Sequence, residues 1–97
     1  MKLTETEFGI MEILWTVGTP MSQGDIIAYA AGKPWKENSI KVMLGHLLRK
    51  EMIQAVGMVR SGKVYARTFI PTCSREEYFA KELTNHVGDI PSLFAYV

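Results

Sequence analysis

Ninety-seven residues, 47% hydrophobic and 22% charged, make one domain of ordinary globular composition, too short for a second independent core. No run of about 18 apolar residues is present, MKLTETEF turns acidic where a secretory leader would turn apolar, and the single cysteine, Cys73, cannot close an internal disulfide, so the chain reads as cytoplasmic. The net charge of +1 is unevenly spread: eight bases and two acids between Lys33 and Arg67 leave +6 there, and three bases and eight acids elsewhere leave −5.

In chain order, Thr4-Glu5-Thr6-Glu7 is a capping box, in which the Thr4 hydroxyl and the Glu7 carboxylate each accept from a backbone amide of the other. Phe8, Met11, Leu14 and Trp15 follow at helical spacing with Ile10 at the edge, which predicts a first helix over about 5–17, ended by Gly18-Thr19-Pro20. Ser22-Gln23-Gly24-Asp25 opens a second helix with Ile26, Ile27 and Ala30 on its inner side; Gly32 and Pro34 stop it. The third helix begins after Trp35-Lys36. At 100° per residue Ile40, Met43, Leu44, Leu47 and Leu48 share one apolar face. The opposite line is Asn38, Val42, Gly45 and Arg49, flanked by Lys41 and His46. A solvated face would favour Glu, Lys and Gln; Gly45 costs up to ~1 kcal/mol relative to Ala in a helix interior. An exposed Gly beside an exposed Val makes sense if a partner comes close to that face.

A hairpin follows: strand Ile53 to Val59, turn Arg60-Ser61-Gly62-Lys63 with Gly62 suited to positive φ, and return strand Val64 to Ile70, closed by Pro71. Ser74-Arg75-Glu76-Glu77 is a further capping box. It starts a fourth helix with Phe79, Leu83 and Val87 on one side, broken by Gly88, and the apolar piece Ile90 to Val97 ends the sequence.

Three helices and a basic-tipped hairpin predict a mainly α fold with a small β-hairpin, of the α+β class: a winged helix-turn-helix over 1–72, followed by a C-terminal helix. The third helix would enter the major groove of double-stranded DNA, and the hairpin would lie along the backbone. Asn38, Ser39, Lys41, Val42, Gly45 and His46 are the candidate base-reading positions, since Asn and Lys reach base edges and a Val methyl packs on a thymine methyl. Lys36, Arg49, Arg60 and Lys63 are the candidate phosphate contacts. Each has a plainer alternative. A basic segment can be only a solvated face, and His46 can be an exposed histidine without a role. His86 and Cys73 are too isolated to suggest a metal site. Trp15 and Trp35 read as core anchors, Trp35 plugging the start of the third helix, and the methionines as packing. No paired carboxylates, nucleophile–base set or phosphate-cradling glycine loop is present, so neither an enzyme nor a cofactor is expected.

The sequence also resembles the penicillinase-repressor family of bacterial regulators, which includes the methicillin-resistance and copper-responsive repressors. The resemblance rests on Leu3-Thr4, Glu7, Ile10-Met11, Ile13-Leu14-Trp15, Trp35, Ser39-Ile40-Lys41, Leu44, Leu47, Lys50, Gly62-Lys63, Tyr65 and Ser74-Arg75-Glu76-Glu77-Tyr78, in that order and spacing. It implies a winged helix with a helical dimerisation region, a dimer on a palindromic operator, and repression of transcription. In some members a sensor protease relieves repression by cleaving the dimerisation region; others answer to copper through a cysteine cluster. This chain departs from the pattern in several places. Lys36-Glu37 stand where the family has Ser-Pro, Val42 where it often has Thr, and His46 where it often has Arg, which leaves the operator sequence open. The cysteine cluster is absent, and Tyr96-Val97 stand where the cleaved Asn-Phe pair is expected. Residues 73–97 read as only the start of the dimerisation region, with Phe79, Leu83, Val87, Leu93 and Phe94 as its contacts, which implies a weak homodimer. The rival expectation is a winged helix used as a protein-interaction module. Such an adaptor should expose an apolar patch in place of the basic one, and the candidate patch is the 90–97 tail, which the resemblance assigns to self-association.

Overall fold

The computed structural model describes residues 3–85, apart from the side chains of Ser61, Thr84 and Asn85. In order these form α1 (Glu5–Val17), the two-residue β1 (Met21–Ser22), α2 (Gln23–Tyr29), α3 (Glu37–Arg49), β2 (Ile53–Ser61), β3 (Val64–Pro71) and α4 (Arg75–Asn85). The strands make an antiparallel sheet in the order β1-β3-β2. Helices on a small antiparallel sheet with one long hairpin are an α+β winged helix. Val87, Leu93 and Phe94, and Gly88 with the tail, lie outside the described residues.

The helix starts follow the sequence signals. Glu7 N–H donates to Thr4 Oγ1 at 3.2 Å and Thr4 N–H to Glu7 Oε1 at 2.8 Å, closing the first capping box. The same reciprocal pair joins Ser22 to Asp25 at the start of α2 and Ser74 to Glu77 before α4. Gly18, at φ 75°, takes the left-handed position that ends α1. Of the four described helices only α3 lacks such a start: its N-cap residue is Lys36, which makes no side-chain cap bond.

Three local expectations need correcting. The strand β1 was not anticipated; two residues that also cap α2 pair with β3, Met21 opposite Phe69 and Ser22 opposite Thr68. The hairpin turn is tighter than read, because Ser61 pairs with Val64 and leaves only Gly62, at φ 64°, and Lys63 in the loop. Arg60 and Ser61 therefore belong to the strand. Finally, Ile10 is not at the edge of the apolar face of α1 but at its centre. Glu7, Ile10, Met11, Ile13 and Leu14 are the buried residues of this helix. Phe8 and Trp15 turn to the side, because α4 covers that flank: Phe8, Trp15, Tyr78 and Phe79 form a set of tilted and edge-on rings with centroids 5.5–6.0 Å apart.

The core joins α1 (Ile10, Met11, Leu14) to α2 (Ile26), α3 (Ile40, Leu44, Leu47), the sheet (Met21, Ile53, Phe69) and Tyr78 of α4. Around it, two long-range ties seat α4 on α1. Trp15 Nε1 donates to the Cys73 carbonyl at 2.8 Å, and Arg75 Nε donates to Glu12 Oε1 at 2.9 Å while its guanidinium lies over the Trp15 ring.

Candidate nucleic-acid interface

The position of α3 is set from three directions. Ile40, Leu44 and Leu47 are fully or almost fully buried, so one face is locked in the core. At the N-terminal end an edge of the Trp35 ring packs against Gly9 of α1; a Cβ at Gly9 would sit 2.5 Å from that ring, so the glycine is what admits it. At the C-terminal end the chain turns sharply. Met52 N–H reaches Leu47 O at 2.9 Å and Glu51 N–H reaches Leu48 O at 3.1 Å, the paired bonds of a Schellman ending. That ending needs a left-handed residue, and Glu51 supplies it at φ 59°, where glycine is the usual choice.

The third hold is ionic. Glu7 is 1% exposed, and Lys50 Nζ lies 2.6 Å from its Oε1, which also accepts from Thr4 N–H. Burial alone would raise the Glu7 carboxyl; the Lys50 and Thr4 hydrogen bonds outweigh it and hold the group below its ordinary value. Its other oxygen, Oε2, is buried without a hydrogen-bond partner, and His46 Nδ1 stands 3.5 Å away.

Against this fixed back, the opposite face of α3 is open. Asn38, Ser39, Lys41, Val42 and Arg49 are exposed, with Val42 at 44%. Gly45 is half-buried, yet a Cβ built there would meet nothing within 4 Å. No packing within the described residues therefore requires a glycine at 45. Lys36, the uncapped start of the helix, is exposed too. His46 differs from the other candidate readers: its ring is half-buried and its Nδ1 is turned toward α1. Of the bases counted in the +6 segment, Lys50 is engaged with Glu7 and belongs to the interior seam.

The wing carries its bases on a separate element. Arg60, Lys63 and Arg67 are exposed. Arg60 Nε folds back on the tip to donate to the Gly62 carbonyl at 3.0 Å, and the Arg67 guanidinium lies 5.6 Å from the Phe69 ring centre. A β-bulge at Val56, between the pairs Ala55–Phe69 and Gly57–Thr68, bends the strand where it leaves the core. Beyond it, Met58 opposes Arg67 and Arg60 opposes Tyr65, so arginines and apolar groups alternate across the ribbon. Val56, Met58, Val59, Val64 and Tyr65 are 43–65% exposed. The sequence reading placed an exposed apolar patch only in the tail; the wing holds one as well. The missed signal was an unbroken apolar run on a hairpin too long for its core to cover.

Of the dimerisation candidates, Phe79 and Leu83 are half or more exposed on α4. Cys73 is half-buried, and burial together with the Glu77 carboxylate pushes its thiol up, the opposite of an activated nucleophile. Among the described residues no group of His, Cys, Asp and Glu is placed to hold a metal ion, and no helix is long and apolar enough to cross a membrane.

The profile of the family described as "Penicillinase repressor" matches residues 3–91. A search of curated proteins returns no match. The matched span takes in every element described above, and the chain belongs to this family of DNA-binding transcriptional repressors.

Proposed function

We propose that this member of the penicillinase repressor family represses transcription by binding a palindromic operator as a dimer in the cytoplasm, with α3 in the major groove and the wing along the flanking backbone. The observation that carries the reading is the open face of α3. Its back is locked into the core at Ile40, Leu44 and Leu47, while its front offers Asn38, Lys41 and Val42 around a glycine with empty space above it. A base edge can approach Gly45 closely only because no side chain stands there. Asn38 and Lys41 are the base readers in this arrangement, with Ser39, Val42 and His46 at the margin. Lys36, Arg49, Arg60 and Lys63 hold phosphates. Two chains joined through α4, at Phe79 and Leu83, would present two such helices to half-sites about one helical turn apart or a multiple of it.

A second reading draws on the exposed apolar residues of the wing: a winged helix that binds a protein. The arginines and lysine interleaved with those residues favour a polyanion instead. Selection from a random duplex library separates the readings. Enrichment of a palindrome supports the operator. Salt-dependent binding without enrichment would make the chain an architectural binder, and no binding at low salt would leave the protein-interaction module. On the selected site Asn38→Ala should cost roughly 1–3 kcal/mol, with little change on random DNA.

A further inference from the structure

Glu7 occupies an interior position of α1, in line with the buried Ile10, Met11 and Leu14. It touches the proposed recognition helix at two points one turn apart, His46 and Lys50. Its Oε1 is saturated by Lys50 Nζ at 2.6 Å and Thr4 N–H at 2.8 Å. Its Oε2 is buried without a hydrogen-bond partner among the described residues, 3.5 Å from His46 Nδ1. Orphaned buried oxygens are rare in folded proteins, because each forgoes its hydration without a replacement. The group beside this one is an imidazole, which donates from both ring nitrogens when it carries a second proton.

We propose that Glu7 is a positioning residue for α3 and that His46 is its proton-operated second hold. A proton on the imidazole makes Nδ1–H a donor to Oε2, shortening the 3.5 Å gap to a charge-assisted hydrogen bond. The other ring proton, on Nε2, is left for an acceptor on the duplex. Lys50 thus anchors α3 to α1 whether or not the imidazole carries a second proton, and His46 adds a second point only when it does. The proposal rests on the DNA-binding reading for its consequence, though the contact itself does not.

The sign follows from linkage. The cationic ring faces a carboxylate inside and a polyanion outside, so the complex takes up a proton and affinity rises as pH falls from about 8 to about 6. The other groups near this seam are Thr4 and Glu7 on α1, Arg49 and Lys50 on α3, and, around the cleft that Lys50 borders, Glu51, Cys73, Glu77, Tyr78, Lys81 and Glu82. Carboxyl, ammonium and phenol groups ordinarily change charge outside that window, and the Cys73 thiol is pushed away from it by burial. The second histidine, His86, is controlled by substitution.

The test measures affinity for the selected duplex at pH 6 and pH 8, at fixed ionic strength, in the wild type, His46→Gln, Glu7→Gln and His86→Gln. Several-fold tighter binding at pH 6 is expected in the wild type and in His86→Gln, a smaller dependence in Glu7→Gln, where the ring still faces the duplex but has lost the carboxylate, and a flat profile in His46→Gln. Glu7→Gln keeps an acceptor for the Thr4 amide, so the cap survives. A pH dependence that persists in His46→Gln, or none in the wild type, overturns the proposal. A DNA-free measurement guards the contact: the Glu7 side-chain carboxyl ¹³C resonance should move in step with the His46 ring between pH 8 and 6, and stay still in His46→Gln. A resonance that stays still in the wild type also overturns it. A chain that bound no duplex at any pH would sink the DNA reading, while that resonance still decided the hold.

Discussion

The third helix and the wing, the two elements proposed to meet DNA, are held by different forces. The α3 helix is pinned by buried Ile40, Leu44 and Leu47, by the Trp35 ring against Gly9, and by the Glu7–Lys50 pair. From Met58 to Arg67 the wing has no buried side chain among those described; its β2–β3 ladder is what shapes it. A rigidly seated helix can hold side chains to the tolerance that base reading demands. A ribbon fixed mainly by its own main chain can follow a phosphate backbone but not read an edge. The proposed division of labour between specificity and grip follows from how each element is anchored.

The contrast can be broken by truncating one apolar side chain to alanine in each. Leu47→Ala should cost about 2–5 kcal/mol of folding stability, because the cavity lies in the core, whereas Val64→Ala should stay within about 0.5 kcal/mol. Urea denaturation of the two variants compares them directly; similar losses would mean the wing is packed in a way its exposure does not suggest. The next effect is at the helix start. Gly9→Ala sets about 1–3 kcal/mol of overpacking against Trp35 over a helix-propensity gain of up to ~1 kcal/mol. A net loss of stability with a shifted Trp fluorescence maximum is expected, and operator affinity should fall more than random-duplex affinity. An unchanged spectrum would remove Trp35 from the set of anchors.

Smaller still is the far end of α3. Glu51→Gly relieves a left-handed residue, worth up to ~1 kcal/mol of stability, and should leave DNA binding alone because Glu51 ends the helix rather than facing the groove. A higher urea midpoint with unchanged affinity meets that expectation. A lower midpoint would mean the Glu51 side chain makes contacts worth more than the strain.

The local features were legible and the distant ones were not. Capping boxes at Thr4, Ser22 and Ser74, the left-handed Gly18 and Gly62, and the apolar face of α3 all rest on residues within four or so of one another, so periodicity and turn chemistry reveal them. The exposed face at Asn38, Lys41, Val42 and Gly45 follows from the same phase. What escaped depends on pairings across the chain. Glu7 looks complete as a cap, and only its contact with Lys50, 43 residues away in sequence, makes it a buried anchor. The available hint was its phase, in line with Ile10, Met11 and Leu14. Lys50 was counted as surface charge for the same reason. β1 is too short to have a pattern of its own and exists because β3 lies beside it.

Salt dependence in two variants tests the division of labour most directly. Binding of Asn38→Ala and Lys63→Ala should be followed on the selected operator and on a random duplex across salt concentrations. Asn38→Ala should weaken the operator complex alone and leave the slope of log affinity against log salt unchanged. Lys63→Ala should weaken both duplexes alike and lower that slope by about one unit, because a phosphate contact releases a counterion and reads no base. Equal losses on both duplexes for Asn38→Ala, or an operator-specific loss for Lys63→Ala, would mean that the helix grips and the wing reads, the reverse of what their anchoring implies.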